Sequence, residues 1–328
     1  MNRKILITGA AGKVGQNLIN HLLENPKFKA DKIRALCHNR MVEETDRIEA
    51  VRGDISNEDD VIRAMEGVTH IVHLATCKEI PKDVMDITVK GLFWILECCR
   101  KSDTFEQFIL LGGDAGIGHF VYPNSKPLTE DYPFRPYEGC YALSKVLEEA
   151  MLQQYYTQYN LNGCCLRAPW IMEKDDFAKS LSFGDDIFGG PVWSSYVESD
   201  KATEYAKNKT VPVLLDSEEK PIKRNFVHVN DLVKAIGIAI DHPKAKQELF
   251  NICMNEPVDY RKVADHLKET RGVDSVGIKT EFHSNWLDNS KAKFLLDWSP
   301  DYDFKRLTDE SYGYNRNDTD PRVIYYPG

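Results

Sequence analysis

Short apolar runs alternate with longer amphipathic segments through the first half of the chain. The runs predict strands over residues 4–8, 33–37, 50–53, 71–75, 108–111 and 164–167. The longer segments predict helices near residues 12–23, 58–65, 83–100 and 141–159, because their apolar side chains recur at helical spacing. This alternation is typical of β-α-β units, so we expect an α/β fold with a doubly wound parallel sheet.

The pattern changes after residue 169. Residues 173–221 are rich in Asp, Ser, Lys and Gly and show no strong period, so we expect a loop-rich insertion there. Beyond the insertion, the sequence predicts a helix over 230–240, a strand over 248–253, a helix over 260–270 and a strand over 277–282. The second half therefore contributes to a smaller α+β lobe that is discontinuous in sequence.

Composition places the chain among proteins with a large hydrophobic core. Of its 328 residues, 42% are hydrophobic, and the formal net charge is -9. No basic stripe stands out that could neutralise the phosphates of a nucleic acid, so we expect no nucleic-acid partner. The longest apolar runs are far shorter than the roughly 20 residues needed to span a bilayer, so we expect no membrane-spanning helix.

Two features concern the cellular compartment. The apolar strand pattern begins at Ile5, which leaves no room for a signal peptide, and we expect a cytoplasmic protein. The eight cysteines include no C-x-x-C pair, and none clusters with a nearby His. They are therefore predicted to be reduced core thiols, and we expect no metal site.

A glycine-rich turn joins the first predicted strand to the first predicted helix. Its spacing is G-x-x-G-x-x-G. Gly9 allows the tight turn, Gly12 lets the backbone approach a pyrophosphate, and Gly15 permits close packing of helix on sheet. The N-terminus of the helix offers unpaired N–H donors to the anion. A Rossmann-type dinucleotide site is therefore predicted, with contacts from Gly9, Ala11, Gly12, Lys13, Val14 and Gly15.

The end of the second predicted strand bears on the choice of dinucleotide. NAD enzymes of this fold usually place an acid there, and NADP enzymes a basic residue. Here Cys37 stands in the acid's place, followed by His38 and Arg40. We favour NADP, with NAD as the alternative. Asp54 and Ile55, after the third strand, are predicted to lie at the adenine, although Asp54 could instead cap the next helix.

These observations divide the chain into two predicted domains. Residues 1–170 together with 225–253 are expected to form the dinucleotide-binding domain. Residues 171–224 together with 254–328 are expected to form the substrate-binding lobe.

Tyr141 and Lys145 are the candidate reactive pair. They open an amphipathic helix, and their four-residue spacing places the phenol and the ammonium on one face. A phenol has a pKa near 10 in water, and a neighbouring cation together with an oxidised nicotinamide lowers it. Tyr141 could then exchange a proton with a substrate oxygen while hydride moves to or from the cofactor.

The chain resembles an extended short-chain dehydrogenase/reductase of the epimerase/dehydratase family, which acts largely on sugars and nucleotide sugars. The segments that carry the resemblance are ILITGAAGKVG at 5–15, RGDI at 52–55, HLAT at 73–76, YALSK at 141–145, LRAPWI at 166–171, RNFVHVNDL at 224–232 and ELFNIC at 248–253. The resemblance implies that Tyr141 is the acid/base, and that Lys145 binds the nicotinamide ribose and tunes Tyr141. It also implies that Leu74, Ala75, Thr76 and Pro169 line the cofactor.

The chain departs from the family pattern where the substrate oxygen would react. Gly113 occupies the position that is usually a catalytic Ser or Thr. The Thr-Asp-Glu sequence of the family's sugar dehydratases is reduced to Asp114, with Ala115 in place of the Glu. Thr88 stands where relatives often carry Asn.

Two interpretations of Gly113 remain open. It could make room for a bulkier substrate, with Asp114, Thr76 or a substrate hydroxyl as the replacement donor. Alternatively, Gly112 and Gly113 only allow a tight loop, and Asp114 caps the next turn. On the first interpretation, Asp114 joins Tyr141 and Lys145 as a catalytic candidate.

Gly113, His119 and Arg224 are the candidate substrate ligands. Arg224 resembles the arginine that reaches the diphosphate of a nucleotide sugar, and a guanidinium suits phosphate or carboxylate equally. His119 lies in a loop and could instead be solvated. Trp170 is predicted to wall the pocket or to pack in the core, and His228 is predicted to be structural.

The sequence therefore predicts an NAD(P)-dependent enzyme that interconverts a sugar hydroxyl and a ketone, as a sugar or nucleotide-sugar epimerase. One alternative is a net dehydrogenase of a sugar acid, similar to uronate dehydrogenases. Another is a non-catalytic NAD(P) sensor, which the missing hydroxyl at Gly113 favours. The resemblance also implies a homodimer through the helices near 83–100 and 141–159, whose Phe93, Trp94, Tyr155 and Tyr156 could equally be core.

Overall fold

A seven-stranded parallel sheet forms the centre of the protein, in a computed structural model that describes residues 3–118, 120–317 and 320. Its strand order is β11-β6-β5-β4-β1-β2-β3. The strands are β1 (Lys4–Thr8), β2 (Lys32–Cys37), β3 (Ile48–Arg52), β4 (His70–His73), β5 (Gln107–Gly113), β6 (Gly163–Ala168) and β11 (Glu248–Asn251). This doubly wound order confirms the predicted Rossmann-type fold.

Helices cover both faces of the sheet, which is why the central strands are apolar on both sides. On one face, α1 (Lys13–Glu24) and α8 (Val229–Ala239) pack on Ile5 and Ile7. On the other face, α2, α4 and α5 pack on Leu6 and Ile71. The bounds of these three helices are Glu58–Met65, Gly91–Lys101 and Cys140–Tyr159.

The predicted helix over 83–100 is confirmed and contains an irregular segment. It begins with α3 (Pro81–Asp83), continues as a π-helix over Val84–Lys90 and ends as α4. Within the π-helix, the buried Thr88 hydroxyl accepts a hydrogen bond of 3.0 Å from the backbone N–H of Cys77. Thr88 therefore fixes the loop after β4 to this helix.

The remaining elements lie outside the central sheet and the helices that cover it, and we refer to them together as the second lobe. The strands are β7 (Trp170–Met172), β8 (Val211–Leu215), β9 (Lys223–Arg224), β10 (Phe226–His228), β12 (Val258–Asp259) and β13 (Ser275–Lys279). The helices are α6 (Asp176–Ser180), α7 (Ser199–Asn208), α9 (Tyr260–Arg271), α10 (Ser290–Leu296) and α11 (Phe304–Gly313). Strands distant in sequence pair here, as β7 with β10 and β8 with β13. The assignment of residue ranges to two domains stays a prediction.

The expectation of a loop-rich insertion over residues 173–221 is wrong in part, because this segment contains α6, α7 and β8. Helix α7 is polar along most of its length, and Ala202 is its one buried residue among those described. Strand β8 contains Pro212, which argues against a strand unless the strand lies at an edge. It does lie at an edge, in a two-stranded sheet with β13.

The surface of helices α4 and α5 bears on the predicted homodimer. Tyr155 and Tyr156 are buried and Trp94 is partly buried, so all three belong to the core of this chain. Phe93 remains 39% exposed. The homodimer stays a prediction. Within the described ranges, no helix combines the length and the apolar character needed to cross a bilayer.

Candidate active site

A cavity of about 960 Å³ opens at the carboxyl ends of six strands of the central sheet. Ligands of doubly wound sheets bind at this edge. Side chains of the second lobe close the cavity from the other side, including Trp170, Phe188 and Arg224. Every residue predicted to contact the cofactor lines this cavity, as do Asp114, Gly113 and Arg224. His119 lies outside the described residues.

The glycine turn has the backbone geometry that a pyrophosphate site requires. Gly9 has a φ of +64°, and the N–H of Gly12 donates to the carbonyl oxygen of Gly9 at 3.0 Å. A Cβ at Gly15 would lie 2.4 Å from that same oxygen, so only glycine fits there. Gly12 is the N-cap of helix α1, and no side chain caps this end of the helix. Its first N–H groups are therefore available to an anion, and the turn fits a bound dinucleotide.

Lys13 extends from this turn towards the second lobe. Its ammonium lies 2.5 Å from a carboxylate oxygen of Asp176 and donates to the carbonyl of Ile171 at 3.2 Å. It also lies 4.5 Å from the centroid of the Phe188 ring. The side chain therefore links the turn to the substrate side.

The end of β2 is cationic. His38 is exposed and Arg40 is partly exposed, and Arg52 donates to the carbonyl of His38 at 2.8 Å. Asp54 accepts a hydrogen bond of 2.8 Å from the N–H of Ser56. The alternative that Asp54 caps α2 is wrong, because Asn57 occupies that position.

Tyr141 and Lys145 lie together in the first two turns of α5. The Lys145 ammonium is 5.4 Å from the centroid of the Tyr141 ring, and the Lys78 ammonium is 4.9 Å from it. Burial lowers the pKa of Lys145, but the attraction of Glu148 and Tyr141 outweighs burial, so the pKa is raised. Lys145 therefore carries a positive charge beside the phenol.

Gly113 faces this pair. It is the last residue of β5, with an extended φ of -146° that any residue can adopt. A Cβ at Gly113 would lie 3.6 Å from the Tyr141 hydroxyl and 3.5 Å from Cδ of Lys145, which is ordinary contact. The interpretation of Gly112 and Gly113 as a tight loop is wrong, because both lie in the strand. Asp114 follows in a 3-10 turn whose N-cap is Gly113.

Arg224 is held on the opposite side of the cavity. Its guanidinium carbon lies 4.2 Å from the Phe120 ring centroid and 4.6 Å from that of Trp170. Burial lowers the pKa of Arg224, and Tyr260 and Asp114 oppose this effect. A guanidinium clamped between rings in a mainly apolar setting gains strongly from an anionic ligand.

Trp170 thus serves as a wall and also packs against the core of the second lobe. His228 lies outside the cavity lining. Its ring stacks on Tyr302 with centroids 3.7 Å apart, and its Nδ1 accepts from the N–H of Asn230. This placement agrees with a structural role.

Comparison with known proteins identifies the family of this chain. Residues 5–172, just over half of the chain, match the model of the NAD dependent epimerase/dehydratase family. The chain belongs to this family. UDP-glucose 4-epimerase of Mycolicibacterium smegmatis is 23% identical over 320 residues, which cover 90% of this chain and 93% of the relative.

Two solved structures illustrate that the fold is shared with other proteins. A short-chain dehydrogenase/reductase superfamily protein from Agrobacterium tumefaciens with bound NAD has a TM-score of 0.77 at 20% identity, covering 94% of this chain and 96% of that one. UDP-glucuronic acid 4-epimerase from Bacillus cereus, in complex with UDP-glucuronic acid and NAD, has a TM-score of 0.73 at 19% identity, covering 95% and 98%. These likenesses concern the fold.

Several residues that line or support the cavity were not predicted from the sequence. Lys78, Tyr137 and Phe188 line it, and burial raises the pKa of Tyr137. Phe188 lies in the segment without a period, where nothing in the sequence singled it out. Glu148 lies beneath the cavity, and the signal that could have found it is its position three residues after Lys145.

One group of potential metal ligands lies elsewhere. Ligand atoms of His70, Glu106 and Asp241 lie within 4.8 Å of one another. His70 begins β4, so the group is at the amino ends of the strands, opposite the cavity. Asp241 is already bound to His70 at 2.7 Å and to Arg3 at 2.5 Å. The Asp241 carboxylate is therefore engaged by both His70 and Arg3.

Proposed function

We propose that this family member is an epimerase that oxidises a hydroxyl of a sugar or nucleotide sugar to a ketone and re-reduces it on a retained cofactor. The observation that carries the proposal is the shared cavity. The glycine turn, Tyr141 and Lys145 line it from one side, and Arg224 from the other. Membership of the family and the likeness to a UDP-glucose 4-epimerase over 90% of the chain support a sugar substrate.

Tyr141 is the proposed acid/base. It takes the proton of the sugar hydroxyl as the ketone forms and returns it on re-reduction. Lys145 stabilises the phenolate form by its charge and binds the nicotinamide ribose. The bound nicotinamide supplies the acceptor and donor of hydride. The cavity keeps space beside Tyr141 at Gly113, with Asp114 and Thr76 as the nearby polar groups.

Arg224 is proposed to bind the anionic part of the substrate. Its guanidinium can donate two parallel hydrogen bonds to a diphosphate or a carboxylate. The Phe120 and Trp170 rings contact the guanidinium and restrict its movement. The substrate is therefore an anion, either a nucleotide sugar or a sugar acid.

We infer that NADP is preferred over NAD. The end of β2 carries no acid to bind the ribose hydroxyls, and Arg40 and Arg52 supply positive charge there, beside His38. A 2'-phosphate benefits from that charge. Structures with NAD bound support the dinucleotide class.

The test mixes the protein and either cofactor with a panel of UDP-sugars, dTDP-sugars and uronic acids. An epimerase forms product while the absorbance of reduced nicotinamide stays flat, whereas a net dehydrogenase raises it in proportion to product. We expect Tyr141→Phe to lower the rate by about 100-fold to about 10,000-fold, with cofactor binding retained. Conversion that survives Tyr141→Phe with cofactor bound would refute the assignment. Cofactor binding without conversion of any substrate would favour the sensor.

A further inference from the structure

Helix α5 carries two consecutive glutamates that are both buried. Glu149 binds Arg167 through both oxygens, at 3.0 Å and 2.7 Å. Glu148 lies 2.8 Å from the Lys145 ammonium, and the two side chains are 1% and 4% exposed. Apart from this ion pair, neither oxygen of Glu148 has a hydrogen-bond partner among the described residues. Burial raises the pKa of Glu148, and the Lys145 ammonium, its observed contact, opposes this effect.

The contact between Glu148 and Lys145 affects whether the buried lysine keeps its proton. Burial of a lone ammonium favours its neutral form, and buried lysines can lose their proton near neutral pH. A carboxylate at 2.8 Å opposes this, because Coulomb attraction is strong where water is excluded. Burial is the largest single influence on the pKa of Lys145 and lowers it, and the attraction of Glu148 is the largest influence that opposes burial.

The other titratable groups around Lys145 do not supply this negative charge. Burial and Lys145 lower the pKa of His73, on β4, to about 3, so His73 is neutral. Burial raises the pKa of Cys165, on β6, well above its ordinary value, so its thiol is neutral too. Glu149 is neutralised by Arg167. Tyr141 contributes a negative charge only as phenolate, and Lys78, on its other side, is a cation.

We propose that Glu148 is a positioning residue that holds the Lys145 ammonium beneath Tyr141 and keeps it protonated, with or without cofactor. Its effect on turnover rests on the proposed function, since it acts through Lys145 on Tyr141. Its effect on Lys145 is independent of which substrate is used. Glu148 gives the site a charged lysine before any ribose hydroxyl arrives.

The experiment compares the full-length wild type with Glu148→Gln. NAD⁺ affinity is measured by titration calorimetry from about pH 6 to about pH 10. We expect the affinity of Glu148→Gln to fall at a lower pH than that of the wild type, whose raised Lys145 pKa places its own midpoint at or above the upper end of this range. Lys145→Met, which lacks the ammonium at every pH, sets the lower plateau. Curves for Glu148→Gln and the wild type that superimpose would overturn the proposal.

Glu149→Gln is the matched control, because it removes the neighbouring buried carboxylate without touching Lys145. We expect it to lower the unfolding temperature and to leave the midpoint of cofactor binding at the wild-type pH. A midpoint that moves as far as in Glu148→Gln would overturn the proposal. If Glu148→Gln fails to fold, Glu148→Asp provides the test. Its longer distance to Lys145 is expected to shift the midpoint in the same direction by less, and no shift contradicts the proposal.

Measurement of turnover distinguishes the proposed epimerase function from the proposed role of Glu148. Where a substrate is found, the alkaline loss of kcat should move to lower pH in Glu148→Gln, in step with the binding midpoint. A shifted midpoint without any turnover would reject the epimerase and keep the role of Glu148. Turnover with an unshifted midpoint would keep the epimerase and reject the role of Glu148.

Discussion

The two sides of the cavity are built from different parts of the polypeptide. On the cofactor side, backbone forms the wall, with glycines at 9, 12 and 15 and the uncapped start of helix α1. On the substrate side, large side chains form it, with Arg224 between Phe120 and Trp170. Backbone N–H groups recognise what dinucleotides share, namely the pyrophosphate.

Side chains, by contrast, can differ between members of one family. The class of cofactor therefore depends on the backbone of the cofactor side, which we call the cofactor wall. The choice of substrate depends on the side chains of the substrate side, which we call the substrate wall. Gly113 lies where the two walls meet at Tyr141, and it is the place where this chain departs from the family pattern.

The largest effect is expected from a methyl group on the cofactor wall. In Gly15→Ala, the new Cβ would lie 2.4–2.6 Å from three backbone atoms of Gly9 and Ala10. The turn must move, and we expect about 3 kcal/mol of lost stability. Because the N–H groups move with it, cofactor affinity should fall by about 100-fold, or nearly 3 kcal/mol of binding energy. Urea unfolding and calorimetric titration measure the two losses.

Gly116→Ala is the matched control for this prediction. Its Cβ would meet Val146 at 3.5 Å, which is ordinary contact, and Gly116 lies outside the cavity lining. We expect wild-type cofactor affinity. Equal affinity of Gly15→Ala and the wild type would show that the turn does not hold the cofactor.

The next effect tests the substrate wall. Arg224→Gln removes the guanidinium, and we expect KM for the anionic substrate to rise by about 30-fold, since charged hydrogen bonds contribute about 2 kcal/mol. Cofactor affinity should not change. Arg224→Lys keeps the charge but loses the planar fork, so its KM should lie between the two. Steady-state kinetics with a substrate found in the panel of sugars measures these values, and an unchanged KM would place the anion elsewhere.

The sequence predicted the cofactor wall because its signals are local. A buried parallel strand, a glycine spacing and an amphipathic helix lie within residues 4–24, so the turn needed no tertiary information. The strands of the central sheet are also apolar on both faces, which makes them recognisable one at a time.

The substrate wall was not predictable in the same way. Strand β8 is recognisable as a strand only through its pairing with β13, about 60 residues later in the chain. Phe188 contacts Lys13 and Trp170 through space, with no period in its own segment. From the sequence alone, Glu148 would be interpreted as an exposed acid on a helix. Its burial depends on how α5 packs on the sheet.

A smaller effect is expected where the walls meet. Gly113→Ser adds a hydroxyl beside the Tyr141 Oη, in space that the backbone and neighbours allow. A second donor to the reacting oxygen should raise kcat by about tenfold. Gly113→Ala adds the same Cβ without the hydroxyl and is the control. A raised KM with no gain in kcat in both variants would mean that the substrate itself fills this space.

The smallest effect concerns the choice of cofactor at the far end of the same wall. Arg40 is partly exposed, so its contact with a 2'-phosphate is screened by water and contributes about 1 kcal/mol. Arg40→Gln should therefore weaken NADP binding by about fivefold and leave NAD binding unchanged. Titration of both dinucleotides measures the ratio, with Lys32→Gln, an exposed lysine at the opposite end of β2, as the control. If Arg40→Gln weakens both cofactors equally, Arg40 serves a contact that the two share, and the proposed preference for NADP loses its basis at this residue.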